Sequence, residues 1–172
     1  MPEHTDLFQS ARVFRSMMNL WPPLWGQGIR IKHISPDFRE LRTQLSFRWY
    51  NRNNLGTQFG GALFSMTDPF YPIMLMRNLG DGFTVWDQAA SIAFLRPARE
   101  PVEACFVLTE EHLAIVRSQT LNGESCSIDF PVAINGLTGA RIASVTRTLH
   151  IRRSPSPESH ETTGDESQAA TG

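Results

Sequence analysis

Residues 60–79 constrain the fold of this chain more than any other segment. From Gly60 to Leu79 apolar side chains point in every direction, among them Leu63, Phe64, Met66, Phe70, Ile73, Met74 and Leu75. A helix without a polar face has to be buried, so the rest of the chain must wrap it. Pro69 and Pro72 interrupt the pattern, because an interior proline removes a donor and clashes with the preceding turn. The segment is therefore one helix kinked near Asp68, or two helices in succession. Asp68 is its lone acid, and a carboxyl in such surroundings needs a partner or a task. The Gly60-Gly61 pair at its start bares backbone N–H groups, and such a start favours negative charge. One segment thus offers a carboxylate base and an oxyanion donor, the two groups that acyl-transfer chemistry requires.

The material for wrapping is a set of strands. Ile29, Ile31 and His33 alternate with Arg30 and Lys32. Leu41, Thr43, Leu45, Phe47 and Trp49 face one way while Arg42, Gln44, Ser46 and Arg48 face the other. This period of two belongs to a sheet with one wet face. Further strands are expected over 83–96, 102–108, 125–134 and 141–152, with Cys126, Ile128, Phe130, Val132 and Ile134 inward in the third. Residues 110–120 fit a helical turn or a short strand equally. Ahead of the sheet, Thr5-Asp6 can cap a helix with Leu7, Ala11, Phe14 and Met18 at helical spacing. Met17 and Trp21 widen its stripe, and Pro22-Pro23 stop it. The chain so divides into an N-terminal helix and connector (1–25), one domain (26–153) and a tail (154–172). The tail holds almost nothing apolar and is expected to be disordered. The class is α+β, an antiparallel sheet around a long central helix with an extra N-terminal helix.

Bulk properties remove several functions. The formal charge of -1 argues against a phosphate-driven nucleic-acid binder. No apolar run approaches the roughly 20 residues that cross a bilayer, and Met1-Pro2-Glu3-His4 opens no signal peptide. A cytoplasmic protein is the expectation. Cys105 and Cys126 sit in alternating runs and are expected to be reduced core residues. His4, His33, His112, His150 and His160 are scattered, which speaks against a metal site.

Two motifs carry a family resemblance. The first comprises Asn53, Gly60-Gly61, Leu63-Phe64-Ser65 and Asp68. The second is Ala90-Ser91-Ile92-Ala93-Phe94-Leu95-Arg96-Pro97. In these the chain resembles the hotdog-fold acyl-CoA thioesterases, in particular the phenylacetyl-CoA thioesterase branch. Gly56-Thr57-Gln58-Phe59-Gly60-Gly61 with Met66-Thr67-Asp68-Pro69-Phe70-Tyr71 is similar to a little-characterised bacterial branch of that superfamily. The resemblance implies hydrolysis of acyl-CoA to the free acid and coenzyme A without a cofactor or metal. It gives Asn53 the orientation of water or thioester, the Gly60 N–H the thioester oxygen, and Asp68 the role of base or nucleophile. Gly61, Gln58, Phe59 and Thr67 would line the substrate. Arg96 and Arg99 could meet the coenzyme A phosphates, which suits arginine's fork.

Each residue also has a plainer reading. Asp68-Pro69 makes a good cap and first-turn proline for a second helix. The glycine pair can serve tight packing, Asn53 a turn, and Thr67 or Ser65 a backbone bond. Trp86 and Asp87 read as core packing and a turn contact. Phe59 stands where the family has a histidine, which favours a second class, a non-catalytic carrier of acyl-CoA or fatty acid. A hotdog dehydratase is disfavoured by the same missing histidine. On a regular helix Gly60 and Asp68 lie about 12 Å apart along the axis, too far for one carbonyl to touch both. The site is therefore expected to join Gly60 of one subunit to Asp68 of another, in a homodimer or dimer of dimers.

Overall fold

The computed structural model describes residues 10–121 and 123–153. Helix α1 (Ala11–Leu20) buries Ala11 and Phe14, and the Phe14 ring meets Phe38 edge-on at 5.5 Å. The cap expected at Thr5-Asp6, Leu7 and the tail 154–172 lie outside the described residues. Pro22-Pro23 end α1 and also begin α2 (Pro22–Trp25), since a fixed φ and a missing N–H suit a first helical position.

Six strands follow: β1 (Ile29–Ile34), β2 (Glu40–Leu45), β3 (Phe83–Phe94), β4 (Val102–Val107), β5 (Ser125–Gly136) and β6 (Arg141–Arg153). They form one antiparallel sheet in the order β1-β2-β4-β5-β6-β3. Three helices complete the chain: α3 (Gly60–Ser65), α4 (Phe70–Leu79) and α5 (Glu110–Gln119). The apolar segment 60–79 is thus two helices, parted by residues 66–69 and a cis Asp68–Pro69 peptide. It is the core of the molecule. Phe70 and Tyr71 pack on Phe106 at 5.2 and 5.4 Å, and Tyr71 lies 4.5 Å from Phe130. The Thr43 hydroxyl, on the inner face of β2, donates to the Met66 carbonyl at the break. This α+β layout is the hotdog arrangement that the resemblance implies.

Four expectations change in detail. A bulge at Lys32 shifts the phase of β1, so His33 turns outward and Ile34 inward. The β2 alternation stops at Leu45, and Trp49 is exposed in a short 3-10 turn. Buried Asn51 draws the chain out of the sheet there, bonding the Ser46 and Gln27 carbonyls. Residues 110–119 are a full helix, because the Thr109 hydroxyl caps it by accepting from the His112 N–H. Cys105 is exposed on the outer face of β4, since it alternates with Ala104 and Phe106, which take the inner face; Cys126 is buried.

One edge of the sheet is open. Strand β3 pairs with β6 alone, and from Gln88 to Phe94 most of its residues are exposed on both faces. Among the described residues no helix is long and apolar enough to cross a membrane.

Candidate active site

The candidate residues gather in two hollows that share no lining residue. The first, about 350 Å³, opens at the start of α3. Its wall includes Asn53, Thr57, Gln58, Gly60, Phe94 and Arg96. The loop that builds it is fixed from within. Asn53 Oδ1 accepts the N–H groups of Leu55 and Thr57, and its Nδ2 donates to Thr57 Oγ1 at 2.9 Å. The plainer reading of Asn53 as a turn residue therefore describes its bonds. Gln58 is buried, donates from Nε2 to the Glu100 carbonyl at 3.0 Å, and leaves Oε1 without a partner among the described residues. Two rings flank the glycines. A Cβ on Gly60 would lie 3.1 Å from Phe94, and one on Gly61 would lie 2.5 Å from Phe59. Phe59 thus folds over Gly61 while remaining half exposed. No hydrogen bond from the Gly60 or Gly61 N–H occurs among the described residues, as expected of a first helical turn. Arg96 is exposed at the rim, and Arg99, exposed nearby, donates to the Leu55 carbonyl.

The second hollow holds Asp68, with Trp21, Leu24, Gln27, Ser65 and Pro69 around it. Asp68 sits at the break between α3 and α4, and its side chain is 54% exposed. It is ion-paired. Arg147 NH2 donates to Asp68 Oδ2 at 3.1 Å and to Asp87 Oδ2 at 2.8 Å, while Arg147 Nε donates to Asp87 Oδ1 at 2.9 Å. Arg147 itself is almost wholly buried, with NH1 unpartnered among the described residues. Burial opposes its charge, but the bonds and charges of Asp87 and Asp68 outweigh that and hold the guanidinium above its ordinary pKa. Thr67 is buried and donates to the Phe64 carbonyl at 2.8 Å, a backbone bond.

Arg147 was missed by sequence reading. Its signal is a cation at the apolar phase of β6, where Ala143, Val145, Leu149 and Ile151 are buried on either side of it. Asp87 is no turn residue but the fork partner of this arginine. Trp86 is no core residue either; it stacks on His150 at 4.3 Å while 45% exposed, because β3 alternates and Val85 and Asp87 take the inner positions. Among the described residues no three His, Cys, Asp or Glu side chains converge as metal ligands.

A family model described as a domain of unknown function, DUF4442, matches residues 10–151. The chain belongs to that family. No curated protein sequence matches it, whereas solved structures share the DUF4442 chain's fold. A Pseudomonas aeruginosa protein of unknown function, described as a probable thioesterase, is 16% identical with a TM-score of 0.72, over 83% of this chain and 95% of its own. A thioesterase from Haemophilus influenzae is 14% identical with a TM-score of 0.62, over 92% and 97%. A mutant thioesterase from Pseudomonas aeruginosa is 13% identical with a TM-score of 0.61, over 88% and 97%.

Proposed function

We propose that this DUF4442 protein hydrolyses acyl-CoA thioesters to the free acid and coenzyme A, as a homodimer or dimer of dimers. The observation that carries the reading is Asp68, a carboxylate at the break in the central helix, oriented by a buried guanidinium yet open to a hollow. The fold it shares with named thioesterases supports the reaction class. In the proposed step Asp68 takes a proton from water as the water oxygen attacks the thioester carbon. The resulting oxyanion is held by the Gly60 N–H of the partner subunit. Its collapse breaks the C–S bond, and the departing thiolate takes from Asp68 the proton that came from water. Attack by the carboxylate itself, followed by hydrolysis of the anhydride, uses the same geometry. Two subunits are invoked because the Gly60 and Asp68 hollows are separate within one chain. Gln58, buried in the wall of the Gly60 hollow, would shape the seat of the coenzyme A arm beside Asn53, Gly61 and Phe59. Arg96 and Arg99 would meet its phosphates.

Release of free thiol from a panel of acyl-CoA esters tests the proposal. Asp68→Asn is expected to lower kcat on the order of 100- to 10,000-fold, the usual weight of a general base, with the fold intact by circular dichroism. Unchanged turnover would remove Asp68 from the mechanism. The second reading, a carrier of acyl-CoA or fatty acid, draws on Phe59, whose ring lies against Gly61 in place of the family's imidazole. Tight binding with no thiol released would decide for it.

A further inference from the structure

A second groove adjoins the Asp68 hollow, and nothing in the proposed chemistry uses it. It runs between α1 and α4, encloses about 570 Å³, and is lined by Met17, Met18, Leu20, Trp21, Pro22, Pro69 and Ile73. Every one of these side chains is apolar. Trp21 and Pro69 line both this groove and the hollow of Asp68. The polarity therefore changes from one hollow to its neighbour. Asp68, Ser65 and Gln27 lie at one end, the Trp21–Pro69 junction stands in the middle, and the methionines and Ile73 follow.

The geometry points to this groove as the seat of the acyl chain, and so to a medium- or long-chain aliphatic acyl-CoA as the substrate class. The inference rests on the reading of Asp68 as the reacting carboxylate, because the groove is placed by the Trp21 and Pro69 it shares with that hollow. A thioester with its carbonyl at Asp68 and its tail directed past Trp21 and Pro69 onto α1 would meet apolar side chains there. The volume lies in the range of small-ligand pockets, and unbranched methionines adapt to a flexible chain. Met17, Leu20 and Trp21 are exposed in the single chain. These few side chains offer far less area than a stable protein interface needs. Helix α1 accordingly acts as a specificity element added to the hotdog core.

The test uses S-alkyl thioethers of coenzyme A, which have no carbonyl to hydrolyse, with ethyl and decyl tails, titrated calorimetrically into the full chain. Burial of each methylene strengthens binding about fourfold. In so open a groove about half of the eight additional methylenes would be buried, so the decyl compound is expected to bind roughly 100-fold or more tighter than the ethyl compound. Met17→Glu places a charge on the groove wall and is expected to collapse that ratio toward one, while Met17→Leu restores it. Leu20→Glu, at a still more exposed position, repeats the test where misfolding is no concern. A ratio near one in the wild type, or a Met17→Glu protein with the ratio intact, overturns the inference. So does a Met17→Glu protein whose sedimentation changes with no change in ratio, since a second copy would then be the occupant. Thiol release from acyl-CoA is followed in parallel. Chain-length-dependent binding with no hydrolysis leaves the groove standing and removes the hydrolase. Hydrolysis with a flat binding series does the reverse.

Discussion

At the scale of single residues, Arg147 is the least expected feature of the molecule. It occupies an inner-face position of β6 between Val145 and Leu149, where the core would accept an aliphatic side chain. Two carboxylates make the position tenable. Asp87 takes the guanidinium fork, and Asp68 takes one nitrogen from across the helix break. Removing the cation would leave two acids facing each other without a partner. Loss of one member of a fully buried pair costs about 3–5 kcal/mol. Asp68 and Asp87 keep contact with solvent, at 54% and 24% side-chain exposure, so screening reduces the figure for Arg147→Met to about 1–3 kcal/mol. Urea unfolding measures it. Turnover is expected to fall further, on the order of 100-fold, because the carboxylate loses its orientation. Arg147→Lys keeps the charge and loses the fork. It should recover more of the stability than of kcat, and a lysine variant with full activity would show that Asp68 needs no positioning.

At the scale of elements, the turn between β1 and β2 carries a pH signature. Asp37 accepts from the Ser35 hydroxyl and from the Arg39 N–H. The hydroxyl bond, followed by that backbone bond, pulls its carboxyl below the usual range. A carboxyl with a depressed folded pKa stabilises the fold above its unfolded pKa, about 3.9, and that contribution disappears as the pH falls through the folded value. Asp37 is exposed, so the contribution is small, below about 1 kcal/mol. Asp37→Ala is expected to be less stable than the wild type in urea at pH 7, and the difference should shrink as the pH falls through the depressed folded pKa of Asp37. A difference independent of pH would assign the effect to packing of the turn instead. Elements differ in how far the sequence discloses them. The strands were legible because a period of two is a local property of side chains. The buried helices were legible as a hydrophobic run, and Pro69 marked where they divide. The bulges at Lys32 and Gln88 were not, since neither carries a glycine or proline to announce it. Helix α5 hid because only Leu113 and Val116 of its ten residues are buried, too few to set a helical stripe. Asp68 and the Gly60 end stood out in the sequence as candidates by residue type alone. Arg147, Asp87 and the groove of α1 arise from residues distant in sequence, and only tertiary packing brings them together.

At the scale of the whole molecule, the proposed dimer draws on the open edge of β3 and on the separation of the two hollows. A strand of twelve residues with one neighbour, most of whose residues from Gln88 to Phe94 are exposed, is a template for pairing with another chain. A two-fold axis along that edge would cover it and would face the α3 end of each subunit toward its mate. Complementation between two inactive variants separates a shared site from two private ones. Asp68→Asn removes the carboxylate. Gly60→Pro removes the oxyanion donor and leaves the helix in place. Gly60 is the first residue of α3, where proline is tolerated, and Phe59 already has the extended φ and ψ, -69° and 126°, that a following proline requires. A Cβ at this position meets only the far end of the exposed Phe94 side chain. Each variant alone should be inactive. If the site spans the interface, unfolding and refolding them together in equal amounts makes half of the dimers mixed. Each mixed dimer then pairs an intact Gly60 with an intact Asp68 once, and about a quarter of the wild-type turnover should return. A site contained within one chain would give no recovery, because every chain in the mixture lacks one of the two groups.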